Sequence, residues 1–107
     1  IAIERLTALS HQGRLDAFKQ LVRAGEDGLA AGDLAKRLNV QPNTLTAQLN
    51  QLTTSHLISR QRRGRSIIYK AELPALNEVV LYLIADCCEG RDEVCAPILD
   101  AIQDVRC

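Results

Sequence analysis

Cys87 and Cys88 are adjacent, and Cys95 follows an acidic, glycine-containing spacer, so three thiols fall within nine residues. Such a cluster suits structural disulfides poorly. It suits a single soft ion well, because three sulfurs can converge on one centre with only a short loop to organise. Arsenite and antimonite favour three sulfurs in a trigonal pyramid, whereas zinc prefers a tetrahedron of four ligands. With no histidine nearby, the three thiols fit As(III) or Sb(III) better than zinc. Neighbouring residues on a helix point about 100° apart, so Cys87 and Cys88 converge only where the helix loosens. Glu89-Gly90 supplies an end to it. Cys95, near the start of a last helix, would have its thiolate favoured there. Taken alone, Cys87 continues an apolar stripe and reads as a small buried hydrophobe. Cys107, the final residue, reads as an incidental thiol, and His11 and His56 as surface or capping groups.

The elements that must position these thiols come from a chain of 107 residues, 47% hydrophobic and 3% aromatic, with no Trp. That predicts one domain over residues 1–107, with an aliphatic core of packed helices that gains stability by pairing with a second copy. No stretch approaches the roughly 20 apolar residues that span a bilayer, and the first residues do not form a signal peptide. Cysteines without secretory features point to reduced thiols and a cytoplasmic location. The formal net charge of zero hides a segregation. Arg60, Arg62, Arg63, Arg65 and Lys70 form a basic run without an acid, while Asp86, Glu89, Asp92, Glu93, Asp100 and Asp104 make the end of the chain acidic. The first suits phosphates and the second a cationic or metalloid guest; both are also what a solvated surface looks like.

Apolar spacing predicts helices over 1–9, from a Ser10 cap to Gly25, over 30–38 and over 42–55, with Pro42 in a first turn that tolerates it. Glu26-Asp27-Gly28 reads as a turn. The period then changes. Residues 57–62 and 66–70 read as strands joined at Arg63-Gly64-Arg65, within a hairpin spanning 57–71. A fifth helix opens at Leu73-Pro74 with a stripe of Leu76, Val79, Val80, Leu83, Ile84 and Cys87. Gly90 interrupts it, and a last short helix covers about 96–105.

Two short helices around a three-residue break, followed by a basic hairpin, make a helix-turn-helix with a wing. The expected fold is therefore mainly α with a small β-hairpin. With Leu45, Leu49 and Leu52 turned inward, the opposite face of the fourth helix is expected to show Asn43, Thr44, Ala47, Gln48 and Gln51, flanked by Thr46 and Asn50. Amides and hydroxyls of this kind read base edges in a major groove. An ordinary solvated helix face would more often use Glu and Lys, yet residues 42–55 carry no charge at all. The candidate DNA contacts are Gln41, Asn43, Thr44, Thr46, Ala47 and Gln48 on or beside the helix. Arg62, Arg63 and Arg65 on the wing would reach phosphates or a minor groove. Basic residues on an exposed edge strand also discourage aggregation, and both roles can hold together.

The run from Leu34-Ala35-Lys36-Arg37-Leu38 through Leu49-Asn50-Gln51-Leu52 resembles the "L-A-x-x-L-x-[LV]-x-x-x-[ST]-[LV]-[ST]-x-[HQ]-L-x-x-L" stretch of the ArsR/SmtB family of metal-sensing repressors. Ala8-Leu9-Ser10 to Gly13-Arg14-Leu15 is similar to that family's "L-[AS]-x-x-x-R-L" opening of the second helix. Arg63-Gly64-Arg65-Ser66-Ile67-Ile68-Tyr69 resembles its "R-x-G-[RK]-x-[VI]-x-Y" wing. The resemblance implies a homodimer paired through the first and fifth helices, with dimer and sensor helices over about 1–9 and 73–107, reading a palindromic double-stranded operator. It departs from the family at two sensing sites. The "E-L-C-V-C-[DE]-L" motif is replaced by Gly28-Leu29-Ala30-Ala31-Gly32-Asp33-Leu34, and the fifth helix has no His. Cys87, Cys88 and Cys95 instead resemble the site of variant arsenic sensors whose cysteine pair ends the fifth helix.

The expected function is a transcriptional repressor released from its operator by As(III) or Sb(III). The alternatives are the same fold sensing a soft divalent ion such as Cd, Pb or Zn, with help from Asp86, Glu89, Asp92 or Glu93, or a sensor of thiol oxidation. An enzyme finds no support: there is no Ser-His-Asp set, Gly-rich phosphate loop or paired-carboxylate cleft, and no organic cofactor is implied.

Overall fold

The computed structural model describes residues 1–88, 96–97 and 100–101. Helix α1 (Ala2–Leu9) is followed by α2 (Gln12–Ala24), a single 3-10 turn (Gly25–Asp27) and a two-residue strand β1 (Leu29–Ala30). Then come α3 (Ala31–Leu38), α4 (Pro42–Thr54), the hairpin β2 (Ile58–Arg63) and β3 (Ser66–Ala71), and α5 (Leu73–Cys88). The Gly90 break and most of the helix expected over 96–105 lie outside the described residues. Ala96, Pro97, Asp100 and Ala101, which are described, are helical.

Ser10 does not open α2. It closes α1, its hydroxyl donating to the Thr7 carbonyl at 2.6 Å. The cap of α2 is His11, whose Nδ1 accepts from the backbone N–H groups of Gly13 and Arg14 at 3.1 and 3.4 Å. Imidazole presents the same acceptor that Ser offers, one residue later. Arg14 then turns back, donating from Nε to the Ala8 carbonyl at 2.6 Å. A cation thus sits at the carbonyl end of α1, where the helix dipole favours it.

The sheet has three antiparallel strands in the order β1-β3-β2. Strand β1 was not anticipated, because two residues carry no readable alternation. It pairs Leu29 with Tyr69 and Ala30 with Ile68, and Gly28 makes this possible. At φ +65°, a Cβ on residue 28 would meet the Tyr69 carbonyl oxygen at 2.4 Å, so only glycine lets the chain come this close. The hairpin pairs Ile58 with Ala71 at its base and Arg63 with Ser66 at its tip. Burial falls along it: Ile58, Tyr69 and Ala71 are buried, while residues 60–67 are exposed.

One cluster joins Ala8, Ala17, Phe18, Leu21, Leu34, Leu45, Leu49, Leu52, Leu57, Ile58, Tyr69 and Ala75. Helices α1 to α5 all contribute to it, so α3 and α4 pack on a shared core. The break between them is closed by Asn39, in the left-handed conformation (φ 54°, ψ 50°), which receives the end of α3. Asn tolerates that conformation better than most residues, and its αL geometry reverses the chain within one residue.

On α5 the expected stripe is modified. Ala75 and Val79 are buried, and Leu76 packs against the chain's own core. Leu76 therefore contributes to the chain's own core while remaining partly exposed. Leu73, Leu81, Tyr82 and Leu83 are exposed, as are Ile3 of α1 and Ile1 just before it. No helix among the described residues is long and apolar enough to cross a membrane.

Candidate nucleic-acid interface and thiol site

Helix α4 begins with Pro42 in its first turn and holds Leu45, Leu49 and Leu52 fully inward. Its outer face presents Asn43, Thr44, Thr46, Ala47, Asn50 and Gln51, all exposed, and Gln41 is exposed immediately before it. The Thr46 hydroxyl donates to the Pro42 carbonyl at 2.9 Å. Its proton is committed to the backbone, so outwardly it offers a methyl group and oxygen lone pairs. A T methyl and a base amino group can each be met by such a side chain.

Gln48 differs from the expectation. It lies three residues after Leu45, which brings it within roughly 70° of the leucine stripe, and it is half-buried. Its amide rests on α2: a Cβ at Gly13 would lie 2.3 Å from Gln48 Nε2. Gln48 Oε1 is shielded from solvent and has no hydrogen-bond partner among the described residues. The side chain is thus at the rim between α2 and α4, and Gly13 is what gives it room.

The wing arginines separate into two faces. Arg60 and Arg65, with Tyr69, line a groove shared with Thr46 and Asn50 of α4 and Gly32 of α3. Arg63 lies on the opposite side of the hairpin, beside Gln61 and Lys70. Arg62 bends over the turn, its Nε donating to the Gly64 carbonyl at 3.4 Å. Arg60 and Asn50 were not among the foremost candidates. The strand alternation that puts Arg60 on the α4 side was readable in the sequence, but which side faced α4 was not.

Cys87 and Cys88 are the last two residues of α5. Cys95 and Cys107 lie outside the described residues.

Two short helices in one rigid unit, an uncharged polar outer face on the second and a basic hairpin bordering the same groove define a winged helix-turn-helix. No family model and no curated protein matches the sequence, but solved structures do. The ArsR-like transcriptional regulator from Rhodococcus sp. RHA1 superposes with a TM-score of 0.74 at 27% identity, over 94% of this chain and 92% of that one. The transcriptional repressor BigR from Xylella fastidiosa is 30% identical over 77% of this chain and 83% of its own, with a TM-score of 0.60. The chain belongs to the ArsR-like family of transcriptional regulators. The antimony-specific transcriptional repressor AntR shares the fold, with a TM-score of 0.61 and 24% identity over 95% of this chain and 80% of that one.

Proposed function

We propose that this regulator is a homodimeric repressor that binds operator DNA through α4 and the wing and releases it when As(III) or Sb(III) is bound. The ligands are Cys87, Cys88 and Cys95 of one chain. The observation that carries the reading is the thiol triplet beginning on the last two residues of α5; the fourth cysteine is the final residue, Cys107, and the two histidines, His11 and His56, are far from the triplet in sequence. Gln41, Asn43, Thr44, Thr46 and Ala47 meet base edges, and Gln48 joins them by turning out from the rim. Arg60 and Arg65 lie beside the phosphates nearest α4, with Arg62 and Arg63 further along the backbone. Pairing through α1 and α5 is supported by the exposed Ile1, Ile3, Leu81, Tyr82 and Leu83, a set too apolar to remain in water without cost.

The test is operator binding with and without arsenite, on the wild type and on Cys87→Ser, Cys88→Ser, Cys95→Ser and Cys107→Ser. The first three should bind operator and lose release, and Cys107→Ser should behave as wild type. X-ray absorption should count three sulfurs around arsenic. Release by cadmium, lead or zinc with oxygen ligands would favour the acidic residues as co-ligands. Release by oxidants alone would favour a thiol switch.

A further inference from the structure

Among the described residues, Arg5 is the buried charged side chain, and it stands where three helices meet. It belongs to α1. Its Nε donates to the carbonyl of Ser55, the residue that closes α4, at 3.0 Å. Its Nη1 donates to Glu78 Oε2 on α5 at 2.6 Å. The arginine side chain is 7% exposed and that of Glu78 66% exposed, so the guanidinium is held in the interior by a carboxylate at its edge. A buried cation needs such partners and is destabilising when one is withdrawn. Ser55 is itself buried, its hydroxyl donating to the Leu52 carbonyl at 2.9 Å. The next residue, His56, has φ +64°, and from there the chain enters the wing.

We propose that Arg5 is a positioning residue that ties the carboxyl end of α4 to α5, so that the seating of α4 in operator DNA depends on where α5 holds Glu78. The inference rests on the reading of α4 as the DNA-contacting helix and gives its regulation a physical route. Glu78 precedes Cys87 by nine residues, about 14 Å along the helix. A shift or rotation of α5 that draws Glu78 away leaves the guanidinium with the Ser55 carbonyl alone. The last turn of α4 and the entry to the wing then lose their anchor together. Because Ile3 of α1 and Ile1 just before it are exposed, the same short helix serves the protomer's interior with one side and offers the other to a partner.

The variant that tests this is Glu78→Gln, which keeps the shape, removes the charge and alters an exposed side chain. Amide hydrogen exchange followed by NMR on the DNA-free protein should accelerate at least tenfold for residues 53–57 relative to α2 and α3. Affinity for the best duplex selected from a random pool should fall about tenfold, with affinity for an unrelated duplex unchanged. Arg5→Lys, which keeps the charge but cannot span both partners, should show the same local pattern. Unchanged exchange at 53–57 would overturn the proposal, as would acceleration spread evenly over the protein or an equal loss on both duplexes. If the wild type shows no preference between duplexes, the DNA reading fails instead, and the exchange measurement still decides whether Arg5 anchors α4.

Discussion

Leu81→Ser is expected to weaken the dimer while leaving the protomer folded. Leu81 is 64% exposed in the isolated chain, so it adds little to the chain's own core. Burying a whole leucine side chain is worth roughly 1.5–3 kcal/mol, and about two thirds of that, ~1–2 kcal/mol, remains to be gained at an interface. A twofold axis counts the substitution twice, giving about 2–4 kcal/mol per dimer. At 1.4 kcal/mol per decade, the dimer dissociation constant should rise roughly 30- to 700-fold. Sedimentation velocity across a dilution series reads this directly, with circular dichroism confirming unchanged helix content. Val79→Ala supplies the contrast. Val79 is buried within the protomer, so that change should lower the melting temperature with a smaller effect on association. A dissociation constant unmoved by Leu81→Ser would refute pairing through this part of α5, and a wild type that is monomeric at micromolar concentration would refute it outright.

Gly13→Ala should evict the Gln48 amide from its slot on α2 at little cost, because the clash is with the mobile end of a side chain. Thermal stability should stay the same or rise by up to about 1 kcal/mol, while discrimination between operator and unrelated duplex changes; a change in neither would mean that Gln48 takes no part in reading. Arg60→Ala and Arg65→Ala should each lower the salt dependence of DNA binding by about one phosphate contact, and Arg63→Ala, on the other face, by less; equal slopes would remove the two-faced wing. Gly28→Ala combines a disfavoured φ with a clash on the Tyr69 carbonyl and should cost at least ~1–2 kcal/mol, measured by urea unfolding; a neutral outcome would show that β1 is dispensable.

Much of the fold was legible because its helices announce themselves in leucines. Leu45, Leu49 and Leu52 fixed the inner face of α4, and Pro42 and Asn39 fixed the break before it. What escaped was set by tertiary approach. Strand β1 exists because Gly28 lets two residues reach β3, and no local pattern marks that. Nothing local marks Arg5 as buried, since its partners Ser55 and Glu78 are far away in sequence. Gln48 was misjudged for a geometric reason: a residue three positions from a core leucine lies beside the core stripe, not opposite it. The thiol triplet rests on spacing alone, since Cys95 lies outside the described residues.

The third strand has a consequence for how the wing behaves. Strand β1 supports β3 only at Ile68 and Tyr69, whereas β2 and β3 stay paired out to Arg63 and Ser66. The hairpin is therefore a braced plank at its root and a bare two-stranded ribbon over its last two pairs, about 7 Å at the usual rise per residue. An isolated ribbon is the least rigid form of sheet, so bending concentrates at the point where the brace stops. Arg60, paired with Tyr69, lies on the braced side of that point, and Arg62, Arg63 and Arg65 lie beyond it. Arg60 is thus carried by the braced part of the hairpin, and Arg62, Arg63 and Arg65 by the two-stranded part. On the proposed reading of α4 and the wing, a duplex with a slightly wider or narrower groove would then be gripped without disturbing α4.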